Sequence, residues 1–209
     1  MKPHHAALLA VALGAALPAA AQQGTPQKGT PTDWPCVQVY VPELSLGQVW
    51  AGPALPDEAG AWRDDPEVAR LVPKLLDDAV PAEDATARAE DFAKGVPEAE
   101  RERRLALLFQ GLFERAGVER GNMFAGIRRF ADKQKALADR IAEANAKLRG
   151  MRLDVAAGSQ PEMEAARAER DWDLRVLDDR QRLLPQVCEQ PVLLEQRLFA
   201  LGRALQGNL

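Results

Sequence analysis

The clearest pattern in the chain is a heptad repeat between residues 123 and 151. Seam positions recur at alternating steps of four and three, and Gln134 is the one polar member. The seam consists of Met123, Ile127, Phe130, Gln134, Leu137, Ile141, Ala144, Leu148 and Met151. This spacing places all of them on one face of a helix and is typical of a coiled-coil seam.

A second helix is predicted to run back along the first. Gly158 marks a stop, and residues 159–162 (Ser-Gln-Pro-Glu) form a capping box that starts a new helix. The same steps of four and three continue through Met163, Arg167, Arg170, Leu174, Leu177, Gln181, Leu184 and Cys188. We therefore predict an antiparallel, coiled-coil-like hairpin over residues 118–190, with its tip near Gly158.

The apolar seam residues should be buried between the two arms. The predicted contacts join Ile127, Phe130, Leu137 and Ile141 to Leu174, Leu177 and Leu184. Near the tip the return arm offers Arg167 and Arg170 opposite apolar residues of the outgoing arm. Two interpretations stay open: small residues close the tip, or the tip is open for a partner or a second copy of the chain.

Shorter helices flank the hairpin. In residues 64–117, Asp65 followed by Pro66 is a helix start, Gly95 ends a second helix, and Gly117 ends or bends a third. Pro191 is predicted to start a last helix over residues 191–209. The predicted fold is all-α: a helical bundle with a long hairpin.

Residues 33–63 form a different kind of segment, rich in tryptophan and proline. Val37, Val39 and Val41 alternate with polar or aromatic residues, which is strand periodicity. The rest of the chain shows no partner strand, so we predict an extended segment laid across the helices. The alternative is an edge that pairs with another chain.

Cys36 and Cys188 are the only cysteines, and we predict that they form a disulfide. The bridge would pin the N-terminal segment to the far end of the chain. Loop-closure entropy sets a ceiling of about 5 kcal/mol on its contribution to stability. A redox pair or a thiolate metal site is the alternative, although the chain has no CxxC motif.

Residues 1–21 resemble a secretory signal peptide. Lys2 precedes an apolar stretch over residues 6–17, and small residues follow Pro18. Cleavage after residue 21 would leave a flexible lead-in, residues 22–32, and a single helical domain, residues 33–209. We predict a periplasmic protein with no integral membrane segment after cleavage, since no later apolar run is long enough to span.

Cleavage would also remove both histidines, His4 and His5. Without imidazole, Ser-His-Asp and Cys-His catalysis and the common zinc sites are excluded in their usual forms. The sequence contains no phosphate-binding loop, dinucleotide fingerprint or haem-attachment motif, so we predict no cofactor and no metal. Paired carboxylates such as Asp178 and Asp179 are too common here to indicate catalysis.

The charge balance and one basic cluster bear on the partner. Without Lys2, 26 basic residues oppose 31 acidic ones, and this excess of acid argues against nucleic acid. A cluster of cations lies on the outgoing arm, and two apolar residues lie near the tip. The candidate partner-binding residues are Arg128, Arg129, Lys133, Lys135, Met151 and Leu153. The alternative is a solvated face with pairs such as Arg128 with Asp132.

These observations favour a non-catalytic periplasmic accessory protein, adaptor or chaperone-like, that binds an envelope protein through its hairpin. A homo-oligomer stays open. One alternative function is a carboxylate-dependent cell-envelope hydrolase or lyase. A second is capture of a small ligand between the tryptophan-rich segment and the helices.

Overall fold

The structure is a computed structural model that describes residues 33–153 and 160–209. Every element within those residues is helical, which confirms the predicted all-α fold. In chain order the elements are α1 Leu46–Val49, a 3-10 helix Ala61–Asp64, α2 Pro66–Leu76, α3 Ala82–Gly95, α4 Glu98–Leu153 and α5 Gln160–Gln206. The predicted signal peptide, the lead-in, Gly158 and Ser159 lie outside the described residues.

None of the helices in the described ranges is both long enough and apolar enough to cross a membrane.

The core lies where α2 and α3 pack against the first part of α4 and the last part of α5. Its largest fully buried side chains are Val68, Val72, Leu75, Leu105, Leu108, Phe109, Leu112, Leu198, Leu201 and Leu205. Asp65 starts α2 as predicted, because its carboxylate accepts from the backbone N–H groups of Glu67 and Val68. We refer to this part of the molecule as the body.

Two predicted helix boundaries were wrong. Gly117 does not end a helix, since α4 runs through it from Glu98–Leu153, so of the two predicted effects of Gly117 the helix end was wrong. Pro191 does not start a helix, since α5 runs through it from Gln160–Gln206. An interior glycine costs about 1 kcal/mol and an interior proline about 3 kcal/mol. Burial of apolar side chains on the surrounding helix faces offsets both costs, and Pro191 itself is buried.

The antiparallel hairpin is present, formed by the second part of α4 and the first part of α5. Its seam on α4 is largely as predicted, because Ile127, Leu137 and Ile141 are buried. Phe130 is only half-buried.

The seam on α5 differs from the predicted one by a rotation of the helix. Leu174 is 42% exposed, so its predicted place in the seam was wrong. Asp173 takes the inward position, and its carboxylate accepts from Arg140 of α4 at 3.0 Å and 3.2 Å. Leu177 and Leu184 are half-buried. This arm offers few apolar side chains, and the ion pair between Arg140 and Asp173 is one of its contacts with α4.

The N-terminal segment crosses the base of the hairpin as predicted, but it is not extended throughout, since α1 and the start of the 3-10 helix lie within residues 33–63. A disulfide joins Cys36 to Cys188 with 5.6 Å between the Cα atoms, which confirms the predicted bridge. The Trp34 ring packs edge-on against Phe124 of α4 with 4.9 Å between ring centroids. Val37 is 98% exposed, so the alternating valines do not pack as a strand.

Candidate functional site

The longest element outside the body is the hairpin arm, which we define as residues 125–153 and 160–187. It projects beyond the disulfide, away from the body. Between Ala166 and Cys188 no residue of α5 is buried. Within this stretch Trp172 is 62% exposed and Leu183 is 48% exposed. Large apolar side chains that gather on an exposed surface are typical of interaction sites.

Trp172 differs from the other three tryptophans of the chain. Trp34, Trp50 and Trp62 are half-buried or buried. Each donates its indole N–H to an oxygen of the chain, at 2.7 Å, 2.7 Å and 2.8 Å respectively. These three rings fill the space between the N-terminal segment and the helices. The Trp172 ring instead lies on the arm surface, with the Arg175 guanidinium 5.6 Å from its centroid.

The predicted basic cluster does not act as one patch. Arg128 donates from Nε to Asp33 Oδ2 at 2.6 Å, and Asp132, its partner in the alternative interpretation, adds a weaker electrostatic attraction. This hydrogen bond lowers the pKa of Asp33 and raises the pKa of Arg128. Arg128 thereby holds the start of the N-terminal segment against α4. Sequence reasoning missed this contact because Asp33 lies 95 positions away along the chain.

Lys135 is also engaged within the protein. Its ammonium donates to Asp139 at 2.8 Å, one helical turn further along α4, and this raises the pKa of Lys135. Both groups are exposed, so the pair contributes little to stability. Arg129 and Lys133 form no ion pair with any residue that the structure describes.

The Arg140–Asp173 pair identifies which side of the arm Arg129 and Lys133 occupy. Residues seven or eleven positions apart on a helix lie on the same side, since these spacings are close to two and three turns. Arg129 and Lys133 stand eleven and seven positions before Arg140, and Lys147 stands seven positions after it. All four therefore share one side of α4.

The same side of the arm includes a row of residues on α5. Val176 and Arg180 stand three and seven positions after Asp173. Trp172 lies one turn before Val176, and Leu183 lies two turns after it. We call this side the Arg140 face. It includes Arg129, Lys133, Arg140 and Lys147 of α4 and Trp172, Val176, Arg180 and Leu183 of α5. By the same spacings it also includes two exposed carboxylates of α5, those of Glu169 and Asp179. Arg128 and Lys135 lie on the other flank of α4.

Of the six predicted binding residues, the structure therefore brings two together on the Arg140 face, Arg129 and Lys133. Met151 is half-buried near the end of α4, and the Leu153 side chain lies outside the described residues. Sequence reasoning missed Trp172 and Leu183. Trp172 lies four positions before Val176, and Leu183 lies seven positions after it. This helical spacing was the signal that could have identified them.

Asp65, Asp178 and Asp179 all have partners within the protein. Asp65 caps α2 and also accepts from Arg104 Nε at 2.8 Å, and this hydrogen bond lowers the pKa of Asp65. Asp178 and Asp179 are exposed and both pair with Arg182. Among the described residues, no three His, Cys, Asp or Glu side chains cluster closely enough to hold a metal ion.

An open groove of about 920 Å³ lies on the body, between the α2–α3 connection, α4 and α5. Its charged groups have partners within the protein. Arg197 donates to the carbonyl oxygens of Leu75, Asp77 and Val80, which satisfies acceptors at the end of α2. Glu119 pairs with Arg115 at 3.0 Å. The groove therefore presents no cation free to bind an acidic ligand.

The fold and this surface define an all-α protein with a disulfide-fastened N-terminal segment and a projecting helical hairpin. Comparison with known proteins returns no match among family models, curated proteins or solved structures. The function must therefore be argued from the chain's own residues.

Proposed function

We propose that this chain is a non-catalytic accessory protein of the periplasm, which binds an envelope protein through its hairpin arm. The observation that carries the proposal is the exposure of Trp172 and Leu183 on the arm. Burying a large apolar side chain gains about 1.5–3 kcal/mol, and tryptophan is enriched among the residues that dominate interface energies. A partner that covers this surface would gain that energy.

The contrast between the body and the hairpin arm supports the same proposal. The body has a continuous apolar core, whereas the arm is two helices with a seam that includes ion-paired side chains. A two-helix projection of this kind is an inefficient way to stabilise a fold, because much of each helix stays in contact with water. It is an efficient way to present a long surface to another protein.

The proposed compartment follows from two features of the chain. The disulfide between Cys36 and Cys188 fits an oxidising environment. Residues 1–21 carry the sequence pattern of a secretory signal peptide. Fractionation of cells that express the full chain should find it in the periplasm. Recovery from the cytoplasm with free thiols would contradict this part of the proposal.

Partner binding is tested by chemical cross-linking in intact cells, followed by purification of a tagged full-length chain. We expect a discrete cross-linked adduct with an envelope protein, which the Trp172→Ser/Leu183→Ser variant loses. The matched control is Leu193→Ser/Phe199→Ser, which removes two comparably exposed apolar side chains from the body end of the same helix. The proposal fails if no adduct forms, or if the control variant loses it as fully as the arm variant.

A further inference from the structure

Two glycines weaken α4 where the hairpin arm joins the body. Gly121 and Gly126 both lie inside this continuous helix. A Cβ atom added at Gly121 would contact no packed neighbour within 4 Å, and one added at Gly126 would meet only Arg129 Nη2, at 3.8 Å. Neither glycine has a positive φ. Packing and backbone conformation therefore do not require glycine at either position, and each glycine lowers the local stability of the helix.

Two prolines weaken α5 where it passes the same part of α4. Pro185 and Pro191 lie inside the helix, and proline has no backbone N–H to donate. The carbonyl groups four positions earlier, those of Gln181 and Val187, therefore lose the hydrogen bond that an α-helix would otherwise give them. Sharp kinks in helices are found mostly at such prolines.

Two ion pairs show that the weakened parts of α4 and α5 lie side by side. Arg120 pairs with Glu195, and Arg140 pairs with Asp173. The two helices are therefore antiparallel in a register that these pairs define, and both helices are weakened at the same level. We call this region the arm base: residues 121–129 of α4 and residues 185–193 of α5.

The N-terminal segment ties the arm base to the body. We call residues 33–44 the strap. At one end of the strap, Leu44 packs against the core of the body. At the other end, Cys36 is bonded to Cys188 of the arm base. The residues between these two ends are mostly exposed, so the strap crosses the surface from the body to the arm base.

The disulfide is the one covalent bond between the strap and the arm base. The other contacts are the exposed ion pair of Asp33 with Arg128 and the packing of the Trp34 and Tyr40 rings on Phe124. An exposed ion pair contributes little to stability. The disulfide therefore provides most of the restraint that the strap places on the arm base.

We propose that the arm base is a hinge and that the strap, closed by the disulfide, is its lock. With the bridge intact, the strap holds the arm in one direction relative to the body. Reduction frees the strap, and the arm then bends at the two glycines of α4 and the two prolines of α5. The lock acts on the direction of the arm whatever the arm binds, so it does not rest on the proposed function.

The release step is an exchange with a dithiol reductant. One thiolate of the dithiol attacks Cys36 Sγ, because Cys36 is half-buried whereas Cys188 is only 6% exposed. The Cys36–Cys188 bond breaks, and Cys188 leaves as a thiolate that takes up a proton. The second thiolate of the dithiol then displaces Cys36, which also takes up a proton. The cysteine pair gains two electrons, and the dithiol is oxidised to a disulfide.

The test measures the distance between the arm and the body in the disulfide-intact full chain. Spin labels are attached through ketone-bearing residues introduced at the exposed positions Arg88 of α3 and Lys147 of α4, which leaves both cysteines unmodified. Pulsed electron resonance should give one narrow distance distribution for the oxidised chain. Reduction with dithiothreitol should broaden it at least about twofold, and reoxidation should restore it.

Two outcomes of this measurement would overturn the proposal. One is a distance distribution that reduction leaves unchanged, because the bridge would then not restrain the arm. The other is loss of the helical circular dichroism signal on reduction, because a hinge requires that the body and the arm stay folded. The variant Cys36→Ser/Cys188→Ser should give the same broad distribution as the reduced chain, without any reductant present.

A matched pair of glycine variants locates the bend. Gly121→Ala stiffens the arm base and should narrow the distribution of the reduced chain by about half. The control, Gly150→Ala, makes the same change in the same helix near the tip, where an added Cβ atom would also contact no packed neighbour within 4 Å. It should leave the broad distribution unchanged. Equal narrowing in both variants would place the motion along the whole of α4 and would overturn the hinge.

A variant of α5 tests the other half of the hinge. Pro185 is exposed, so Pro185→Ala removes no buried side chain and restores a backbone N–H for the Gln181 carbonyl. This variant should also narrow the distribution of the reduced chain. A distribution as broad as that of the reduced parent chain would contradict bending at this proline.

Discussion

Two glycines six positions apart on α4 should respond in opposite directions to the same substitution. Gly111 faces α2 and the 3-10 helix. A Cβ atom added there would lie 2.6 Å from Val72 Cγ2 and 2.8 Å from Trp62 Cδ2. The Trp62 ring is held in place, because its indole N–H donates to Glu114 at 2.8 Å. A Cβ atom added at Gly117 would meet no atom within 4 Å.

The expected magnitudes follow from these contacts. Alanine in place of glycine inside a helix gains about 0.5–1 kcal/mol. Gly117→Ala should keep that gain in full. Gly111→Ala gains the same amount but overpacks the core at a cost of about 1–3 kcal/mol, so its net effect is a loss of up to about 2.5 kcal/mol. For a chain of this length, 1 kcal/mol shifts Tm by about 2–4 °C.

The assay is urea and thermal unfolding of the disulfide-intact chain, followed by circular dichroism. Gly117→Ala should raise Tm and Gly111→Ala should lower it. Destabilisation by Gly117→Ala would mean that α4 is interrupted at this residue, as the sequence pattern indicated. A Gly111→Ala variant as stable as Gly117→Ala would mean that Trp62 and Val72 do not pack against α4 as described.

Three further predictions concern the seam, the bridge and the helix cap. Ile127→Ala truncates a fully buried seam residue and should lower the free energy of unfolding by about 2–5 kcal/mol; a variant as stable as the wild type would place the seam between chains. Thiol titration of the unfolded, unreduced chain should find neither Cys36 nor Cys188 free, and replacing both by serine should cost about 2–4 kcal/mol, below the entropic ceiling. The pKa of Asp65 is lowered by Arg104, so the stability that this pair contributes is present at neutral pH and is lost as pH falls below about 4. Arg104→Met should therefore have a lower free energy of unfolding than the wild type at pH 7, and the gap between the two should shrink in acid. A gap that does not change with pH would contradict the pairing of Arg104 with Asp65.

Several features could be read from the sequence because they depend on local chemistry. The heptad spacing around Ile127 and Leu137 fixes which side of α4 faces inward, whatever that side packs against. Asp65 followed by Pro66 starts a helix through its own side chain and ring. The bridge followed from composition, since Cys36 had one possible partner.

Other features depend on atoms far apart in the chain, and only the tertiary structure decided them. The continuity of α4 through Gly117 and of α5 through Pro191 reflects packing energy, which exceeds the local cost of each residue. That packing energy cannot be worked out from the sequence alone, because it depends on which helix lies against the face in question. The rotation that turns Leu174 outward also brings Asp173 into contact with Arg140 on the other helix, a contact between residues 33 positions apart.

The candidate site shows most clearly the difference between what local sequence determines and what contacts between distant segments decide. The sequence determined that cations cluster on the outgoing arm and that a tryptophan lies on the return arm. Only the tertiary structure separated Arg128 from Arg129, because Asp33 approaches one side of α4 and leaves the other side without a partner. It also placed Trp172 in water on that second side. Helical periodicity gives the direction of each side chain, but contacts between distant segments decide which directions remain open.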